Sequence, residues 1–508
     1  MNSLPLLSLI VFVPWAGALL LALLPRLSGG ASRGLALVFS FSTLGLGITA
    51  LSAFDPANTA LQFVEKHAWI RALNVHYHLG LDGLSLVLVL LTGLIAPVAL
   101  FGTARAARQS ALYAALFLFL QGSALGVFLA QDFFPWFIFW ELSLVPAFFL
   151  VKMWGGPGAT RAAYQFVIYT IGGSAFMLLA FAALYAATGT FDFVQLAALA
   201  RDGQLNDALK HLGTFWPQVV FLGVLLGLAV KVPLFPFHTW LPSAYAEAPT
   251  GASMFLTGVL SKMGVYGFLR LLWPLFPTQL HAAAPCLVWL AVAGVVLGAY
   301  AALKQTDLKR MIAYSSINHL SYCLLALFAV SAVYGRAGEA QAAALSGAIL
   351  QMFNHGLSAA ALFFCAGILE ARAGRRGLND FGGVRTAAPV FAALCGISMF
   401  SSLGLPGLNG FVGEFLIFRG VFGLTPWAAA VSTLGLLATA LFLLTFWQRV
   451  FHGPAAGGGI AFRDLDSEEI ITLLPLIALM FVLGLLPQLL AGLINPLVNA
   501  WVAQIPLQ

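Results

Sequence analysis

The fold of this chain is decided by residues 219–242, V-V-F-L-G-V-L-L-G-L-A-V-K-V-P-L-F-P-F-H-T-W-L-P. The run is apolar enough for a membrane-spanning helix, yet Lys231 lies near its end. A lysine inside a membrane helix costs about 2.5–3.5 kcal/mol and is tolerated where it faces a protein interior or a water-filled path. Pro233 and Pro236 then interrupt the helix and free backbone carbonyls at membrane depth. This combination predicts a site that handles ions or protons.

The composition of the whole chain excludes a soluble globular domain. Of its 508 residues, 61% are hydrophobic and 8% are charged, and the mean hydropathy is +0.95. A soluble domain carries about 25% charged residues. The basic residues stand singly between apolar segments, so the pI of about 9.2 does not indicate nucleic-acid binding. The composition therefore predicts an all-α polytopic membrane protein.

Motifs for cofactors and catalysis are absent from the sequence. The four cysteines lie in apolar segments without a Cys-x-x-Cys pair, so neither a disulfide framework nor an iron–sulfur site is indicated. The sequence also has no G-x-G-x-x-G, P-loop, zinc signature or nucleophile elbow. We therefore predict no catalytic residue, no metal site and no cofactor bound by this chain.

Apolar segments of spanning length recur between short polar breaks and predict fourteen transmembrane helices. The predicted spans are 4–25, 34–53, 79–103, 111–131, 133–153, 163–187, 217–238, 250–273, 283–303, 307–332, 342–370, 389–420, 426–450 and 470–493. The segments 54–78 and 188–216 are predicted to be surface loops with room for short interfacial helices. The predicted division is 1–110 for helices 1–3, 111–273 for helices 4–8, 283–450 for helices 9–13, and 470–508 for helix 14.

Two of the predicted spans are broken in a similar way. Span seven contains K-V-P-L-F-P at 231–236, and span twelve contains L-G-L-P-G-L-N-G at 403–410, with Pro406 and Gly407. Because they lie five spans apart, and five is odd, their parent units insert in opposite orientations. The pattern predicts two inverted five-helix repeats with broken helices at the functional site.

The distribution of basic residues predicts the orientation of the chain. Loops after odd-numbered spans carry 15 Lys and Arg residues, and loops after even-numbered spans carry 7. Cytoplasmic loops are enriched in Lys and Arg. We therefore expect the odd loops on the cytoplasmic side of the inner membrane and both termini on the outer, periplasmic side.

Four ionisable residues lie inside the predicted spans: Glu141, Lys231, Lys262 and Glu414. Burial disfavours the charged form of an amine or a carboxyl group, whereas a neighbouring opposite charge restores it. A Glu–Lys pair that opens and closes is therefore a switchable proton site. The alternative is a structural salt bridge that holds membrane helices together.

Two histidines, His319 and His355, also lie inside spans, and both have polar neighbours. An unperturbed histidine suits a proton relay, whereas the alternative for each is a neutral, hydrogen-bonded core histidine. Haem ligation is disfavoured because the two lie on separate spans among Ser and Asn residues that can order water. His238 and Glu247 follow the broken span and are candidates for the cytoplasmic-side mouth, although Glu247 could also be an ordinary solvated loop charge.

Four long motifs resemble those of the antiporter-like subunits of respiratory complex I. They are F-W-E-L-S-L-V-P at 139–146, K-V-P-L-F-P-F-H-T-W-L-P at 231–242, T-D-L-K-R-M-I-A-Y-S-S-I-N-H at 306–319, and L-P-G-L-N-G-F-V-G-E-F at 405–415. The resemblance spans nearly the whole chain and is best to the subunit M, or chain-4, group. That group has glutamate at the position of Glu414, where subunits L and N and Mrp-type antiporter subunits typically have lysine.

The resemblance implies a proton-translocating, non-redox membrane-arm subunit of a complex-I-type NADH:quinone oxidoreductase, which is a translocase. FMN, iron–sulfur clusters and quinone would belong to partner subunits, and the partners would include related antiporter-like subunits in the lipid bilayer, with no nucleic acid. The alternatives are a subunit of a cation/proton antiporter, or of a membrane-bound hydrogenase or formate hydrogenlyase-type complex.

The resemblance also assigns roles to the ionisable residues. Glu141 and Lys231 would be a coupled pair, Lys262 a connecting lysine, His319 and His355 the central relay, and Glu414 the outward exit. The loop after the broken helix departs from the family's usual Trp-Leu-Pro-Asp-Ala-His, since Ser243 and Tyr245 replace two ionisable groups. This departure puts proton uptake through the cytoplasmic-side mouth in question.

Overall fold

The computed structural model describes residues 4–103, 110–333, 335, 338–454 and 462–505. Arg105, Arg108 and Arg336, which count toward the predicted loop charges, lie outside these residues. Within them, 12 helices are long and apolar enough to cross a membrane, or 13 if one bent pair is a single span. The predicted span 389–420 is divided into helices of 14 and 16 residues. Each is about 21–24 Å long, short of a hydrocarbon core of about 30 Å, so the count of fourteen stays a prediction.

The first half of the chain contains eleven helices among its described residues. They are α1 Leu6–Leu23, α2 Gly29–Ala53, α3 Gly83–Phe101, α4 Ala111–Leu129, α5 Phe133–Trp154, α6 Ala159–Thr188, α7 Phe193–Arg201, α8 Gln204–Leu212, α9 Trp216–Lys231, α10 Leu241–Glu247 and α11 Thr250–Leu275. The bent pair is α8 and α9, which meet at 105°. The predicted loop 188–216 therefore holds two short helices, α7 and α8.

The second half continues with nine further helices in the described part of the chain. They are α12 Pro277–Leu303, α13 Leu308–Ala332, α14 Gly338–Ala373, α15 Val384–Ala387, α16 Pro389–Ser402, α17 Asn409–Leu424, α18 Pro426–Phe451, α19 Ser467–Leu485 and α20 Gln488–Val502. The last predicted span, 470–493, ends earlier than expected, at Leu485, because Pro487 interrupts the helix before α20 begins.

The segment 54–78 differs from its prediction as a loop, since most of it forms a β-hairpin. Strands β1 Gln62–Ile70 and β2 Val75–Leu81 pair antiparallel, with Lys66 opposite His78. A lone two-stranded hairpin is marginal in water, so its stability depends on packing against helices. Glu65 supplies such a contact, because its carboxylate accepts the backbone N–H of Leu7, at 2.8 Å, and the hydroxyl of Ser8 in α1. The fold is therefore mostly, rather than entirely, helical.

The centre of the bundle is formed by α11, α13 and α14. The most apolar stretch of each is 94%, 94% and 100% buried, respectively, compared with 28% for α2 at the periphery. Helix α11 contains two π-helical segments, Leu256–Leu260 and Phe268–Leu272. Segments of this kind often mark functional sites, because they change the register of the side chains around a helix. The three central helices carry Lys262, His319 and His355.

Candidate functional site

The first break in the bundle lies at the end of α9. The helix ends at Lys231, and Pro233 and Pro236 lie in the irregular segment before α10. Three carbonyls of the last helical turn are nevertheless bonded. The carbonyl of Leu228 accepts from the N–H of Val232 at 3.0 Å, that of Ala229 accepts from the N–H of Leu234 at 2.9 Å, and that of Val230 accepts from the indole of Trp240 at 3.0 Å. These three carbonyls are therefore satisfied by protein groups at a depth where free carbonyls are costly.

The amine of Lys231 is buried beside an aromatic ring. The residue is 3% exposed, and its Nζ lies 5.0 Å from the centroid of the Trp140 ring, a cation–π geometry. Nζ has no hydrogen-bond partner among the described residues, and neither has Oε1 of the neighbouring Glu141. The structure thus places the amine of Lys231 beside Trp140, which precedes Glu141, and does not join Lys231 and Glu141 in a salt bridge. The predicted pair is therefore open in this structure, meaning that its two groups are not ion-paired.

Lys262 lies at the centre of the protein, on the α-helical turn between the two π segments of α11. It is 0% exposed. Its Nζ donates to the carbonyl of Thr257 at 2.6 Å and to the hydroxyl of Ser261 at 3.3 Å, and it forms a 2.8 Å hydrogen bond with Nδ1 of His355. The carbonyl of Thr257 lies in the first π segment, so the altered helix register places one hydrogen-bond acceptor beside the amine.

The two histidines continue the line of polar groups from Lys262. Their ring centroids are 5.1 Å apart with an angle of 34° between the planes. Nδ1 of His319 lies 3.1 Å from Oε1 of Glu414, which is 6% exposed. The three buried groups predicted as a relay and an exit are therefore in direct succession: Lys262, the histidine pair and Glu414.

Gln351 is a member of this cluster that the sequence analysis missed. Its Nε2 lies 3.2 Å from Oε1 of Glu414 and 3.4 Å from Nδ1 of His319. The spacing in the sequence was an available signal, because Gln351 precedes His355 by four residues and so shares its helix face. Trp140 was missed in the same way, although it directly precedes Glu141.

The second break lies between α16 and α17 and contains Pro406 and Gly407. Gly407 adopts φ +95° and Gly404 adopts φ +76°, a region that favours glycine. Asn409 fixes this segment to α14, since its side chain donates to the carbonyl of Asn354 at 3.2 Å, and the amide of Asn354 donates back to the carbonyl of Asn409 at 2.7 Å. The break therefore positions the start of α17, which carries Glu414, against the helix of His355 and Gln351.

The predicted mouth residues have different environments. His238 is half-buried and stacks on Phe235 at a centroid distance of 5.2 Å. Glu247 is not a free loop charge, because it pairs with Arg376 at 2.5 Å and accepts the backbone N–H of Gly158 at 2.9 Å. Arg376 also pairs with Asp307 at 2.6 Å, so this cluster ties α10 to the ends of α13 and α14.

Tyr245, one of the two residues that depart from the family pattern, is fully buried. Its hydroxyl donates to the carbonyl of Leu256 at 3.0 Å, at the start of the first π segment. The residue therefore supports the helix that carries Lys262 rather than lining an open mouth.

No group of three or more His, Cys, Asp or Glu side chains that could hold a metal ion was found within residues 4–103, 110–333, 335, 338–454 and 462–505. The buried groups are instead an amine, two imidazoles and a carboxylate in one cluster. Groups of these three kinds can each hold or release a proton.

A family model matches the central region of the chain, and known proteins match nearly its whole length. Residues 130–441 match the family model described as NADH:quinone oxidoreductase/Mrp antiporter, TM. The NADH-quinone oxidoreductase subunit M of Rhodobacter capsulatus is 36% identical over 97% of this chain and 95% of its own length.

Two solved structures share the fold. A chain of respiratory complex I from Thermus thermophilus with bound NADH superposes with a TM-score of 0.85 at 30% identity, covering 98% of this chain and 100% of that one. A chain of the Mrp complex from Dietzia sp. DQ12-45-1b has a TM-score of 0.80 at 21% identity and covers 98% and 99%, which shows a common fold. The chain belongs to the NADH:quinone oxidoreductase/Mrp antiporter transmembrane family and, within it, to the group of NADH-quinone oxidoreductase M subunits.

Proposed function

We propose that this chain translocates protons along a lateral path from Lys231 through Lys262, His355 and His319 to Glu414. The observation that carries the proposal is a buried series of groups: the amine of Lys262 bonds to His355, the rings of His355 and His319 lie 5.1 Å apart, and His319 lies 3.1 Å from the carboxylate of Glu414. Each group on this path can hold or release a proton, and each is nearly excluded from solvent. A proton arriving at one end therefore changes the charge seen by the next group, at a distance where interactions are weakly screened.

The open pair of Glu141 and Lys231 is the proposed switch of this path. Apart, the two groups lack the mutual stabilisation of a salt bridge, and the buried amine of Lys231 releases its proton more readily. Together, they hold the proton on the amine. The helices that carry Lys231 and Lys262 are in contact, because Gly264 of α11 packs against Val232, which follows Lys231. We propose that closing and opening of the pair times the transfer to Lys262.

The energy for this cycle would come from electron transfer in partner subunits. The relative from Rhodobacter capsulatus is named for NADH-quinone oxidoreductase. We propose that FMN, iron–sulfur clusters and quinone are held by other subunits of the same assembly. This chain would then be a translocase subunit that contacts other membrane-arm subunits, including antiporter-like ones.

We further propose the inner membrane as the location, with both termini on the periplasmic side. The excess of basic residues in the odd loops supports this orientation. The Glu247–Arg376 cluster lies at the N-terminal end of α11, next to Thr250, whereas the β-hairpin lies at the C-terminal end of that helix. The two faces of the bundle are therefore distinct.

The experiment that tests the function compares Lys231→Ala and Glu141→Gln in the intact complex. Both variants should assemble and transfer electrons, yet lose coupled proton translocation, measured with a pH-sensitive dye in sealed vesicles. Lys210→Gln is the control, because Lys210 is exposed and pairs only with Asp207 at 3.4 Å among the described residues. The parent proton-to-electron ratio in both variants would refute the proposal.

The subunits that purify with the chain in mild detergent separate this function from the alternatives. Iron–sulfur subunits that reduce quinone with NADH support the proposal. A hydrogenase module would point to the hydrogenase-type assembly, and small antiporter subunits alone would point to a cation/proton antiporter.

A further inference from the structure

A large cavity lies at the hairpin side of the first half, away from the lateral path. Its volume is about 1020 Å³, and it lies between the β-hairpin, α7, the end of α11 and α20. At about 30 Å³ per water molecule, the cavity has room for roughly thirty water molecules. The cavity, here termed the vestibule, has both apolar and polar walls, and its polar residues include Arg270 and Asp82.

Arg270 and Asp82 form a nearly buried ion pair in the vestibule wall. Nη2 of Arg270 lies 2.7 Å from Oδ2 of Asp82, and the side chains are 12% and 4% exposed. The same Nη2 donates to the hydroxyl of Ser85 at 3.3 Å, and the other oxygen of Asp82 accepts the N–H of Ser85 at 3.0 Å. The pair therefore has fixed geometry and joins α3 to α11.

Behind this pair, polar groups continue along α11 as far as Tyr266, one helical turn from Lys262. Nε of Arg270 donates to the hydroxyl of Tyr266 at 3.2 Å, and that hydroxyl donates to the carbonyl of Phe128 at 3.1 Å. Tyr266 and Lys262 are four residues apart and share a face of α11. The eight residues from Lys262 to Arg270 span about 12 Å of helix. Arg270 and Tyr266 thus occupy successive turns of α11 between the vestibule and the turn that carries Lys262.

We propose that Arg270 and Asp82 form a charge barrier that prevents protons in the vestibule from reaching Lys262. A guanidinium keeps its proton at every physiological pH, so it cannot pass one on. The carboxylate of Asp82, at 2.7 Å, holds this group that cannot transfer a proton in the vestibule wall. Tyr266 adds no relay, because its hydroxyl hydrogen is committed to the Phe128 carbonyl. The barrier would give the path its direction, since protons would leave toward Glu414 rather than flow back through the first half.

This inference rests on the proposed function, and its test measures passive leak without turnover. The intact complex is reconstituted into liposomes under a potassium-clamped potential, and proton influx after an acid jump is followed with an internal pH dye. We expect Arg270→Gln to raise the influx by about tenfold, equivalent to about 1.4 kcal/mol. Arg270→Lys, whose buried amine can release its proton, should leak more than the parent and less than Arg270→Gln, whereas the control Lys210→Gln should leak like the parent.

Asp82→Asn provides a second variant that does not depend on the folding of Arg270→Gln. Asp82 is the N-cap of α3, and asparagine caps helices as well as aspartate does. This variant should also leak, because the guanidinium loses the anion that holds it in place. Parent-like influx in both Arg270→Gln and Asp82→Asn overturns the barrier, and parent-like influx in Arg270→Lys overturns the need for a group that never releases its proton. Glu141→Gln should stop pumping without leaking, so parent pumping in that variant would refute the proposed function and leave the barrier standing.

Discussion

Replacing Gly264 by alanine tests the contact between the switch and the central lysine. A Cβ at this position would lie 2.3 Å from Cγ2 of Val232, 2.9 Å from its backbone N and 3.1 Å from its Cα. Carbon atoms in good contact are about 3.5–4.0 Å apart, so the two helices must separate by about 1 Å. A rotamer change of Val232 cannot relieve the clash, because two of the three atoms belong to the backbone. Val232 directly follows Lys231, so the displacement occurs at the proposed transfer step.

The expected cost of Gly264→Ala has two parts. Overpacking of a buried contact destabilises a protein by about 1–3 kcal/mol, which should appear as a lower melting temperature of the purified complex. A misplacement of about 1 Å can slow a reaction by about 10²-fold. We therefore expect proton translocation per electron, measured with a pH dye in sealed vesicles, to fall much more than assembly or electron transfer with an artificial acceptor.

Gly172→Ala is the matched control for this experiment. Gly172 lies within helix α6, and a Cβ there would meet no atom within 4 Å. The change should be neutral or stabilise the helix by about 0.5–1 kcal/mol, because alanine loses less backbone entropy. If Gly264→Ala kept the melting temperature and the proton-to-electron ratio of Gly172→Ala, the close contact of α9 with α11 would not matter for the path.

Three further predictions concern groups in or around the site. Gln351→Leu removes the amide that bonds to Glu414 and leaves His319 as the remaining partner of that carboxylate oxygen; proton translocation should fall severalfold in vesicle assays, and a parent ratio would show that the amide is dispensable. Arg376→Gln leaves Glu247 without its cation, so the free energy of unfolding should drop by about 1.5–3 kcal/mol. An unchanged melting temperature would show that the Glu247–Arg376 pair does not stabilise the fold. Asp192 caps the surface helix α7, and although burial alone would raise its pKa, hydrogen bonds from His78 and Lys66 lower that pKa well below its usual range. The stabilisation from Asp192 is therefore present above about pH 3.9 and is lost as the pH falls below it. The melting temperature of Asp192→Asn should be lower than that of the parent at pH 7 and should approach the parent value toward pH 3. A difference in melting temperature that stayed constant with pH would contradict the lowered pKa.

The sequence predicted those site residues whose burial in a membrane helix carries a large free-energy cost. Lys231, Lys262 and Glu414 stand out because ionisable groups are rare in membrane helices, and the prolines and glycines beside two of them mark the breaks locally. The structure places Lys262 and Glu414 in one cluster with the two histidines. Their order in space could not be calculated from spacing alone, because it depends on how α11, α13, α14 and α17 pack.

The sequence was less informative where several weak interactions between distant segments set the structure. The hairpin at 62–81 has no long periodic signal and depends on α1 for its contacts. Arg376 and Glu247 are 129 residues apart, and neither stands in an apolar run, so nothing local predicts their pairing. The open state of Glu141 and Lys231 depends on side-chain placement within about an ångström, which hydropathy does not contain.

The hydrogen bonds that close the end of α9 have a consequence for the water around Lys231. The carbonyls of Leu228, Ala229 and Val230 are all bonded by the protein itself, one of them by the indole of Trp240. These three carbonyls therefore need no water molecule. A change in the number of water molecules around the amine of Lys231 would leave these three bonds intact, so hydration of the amine can vary during a protonation cycle without breaking them.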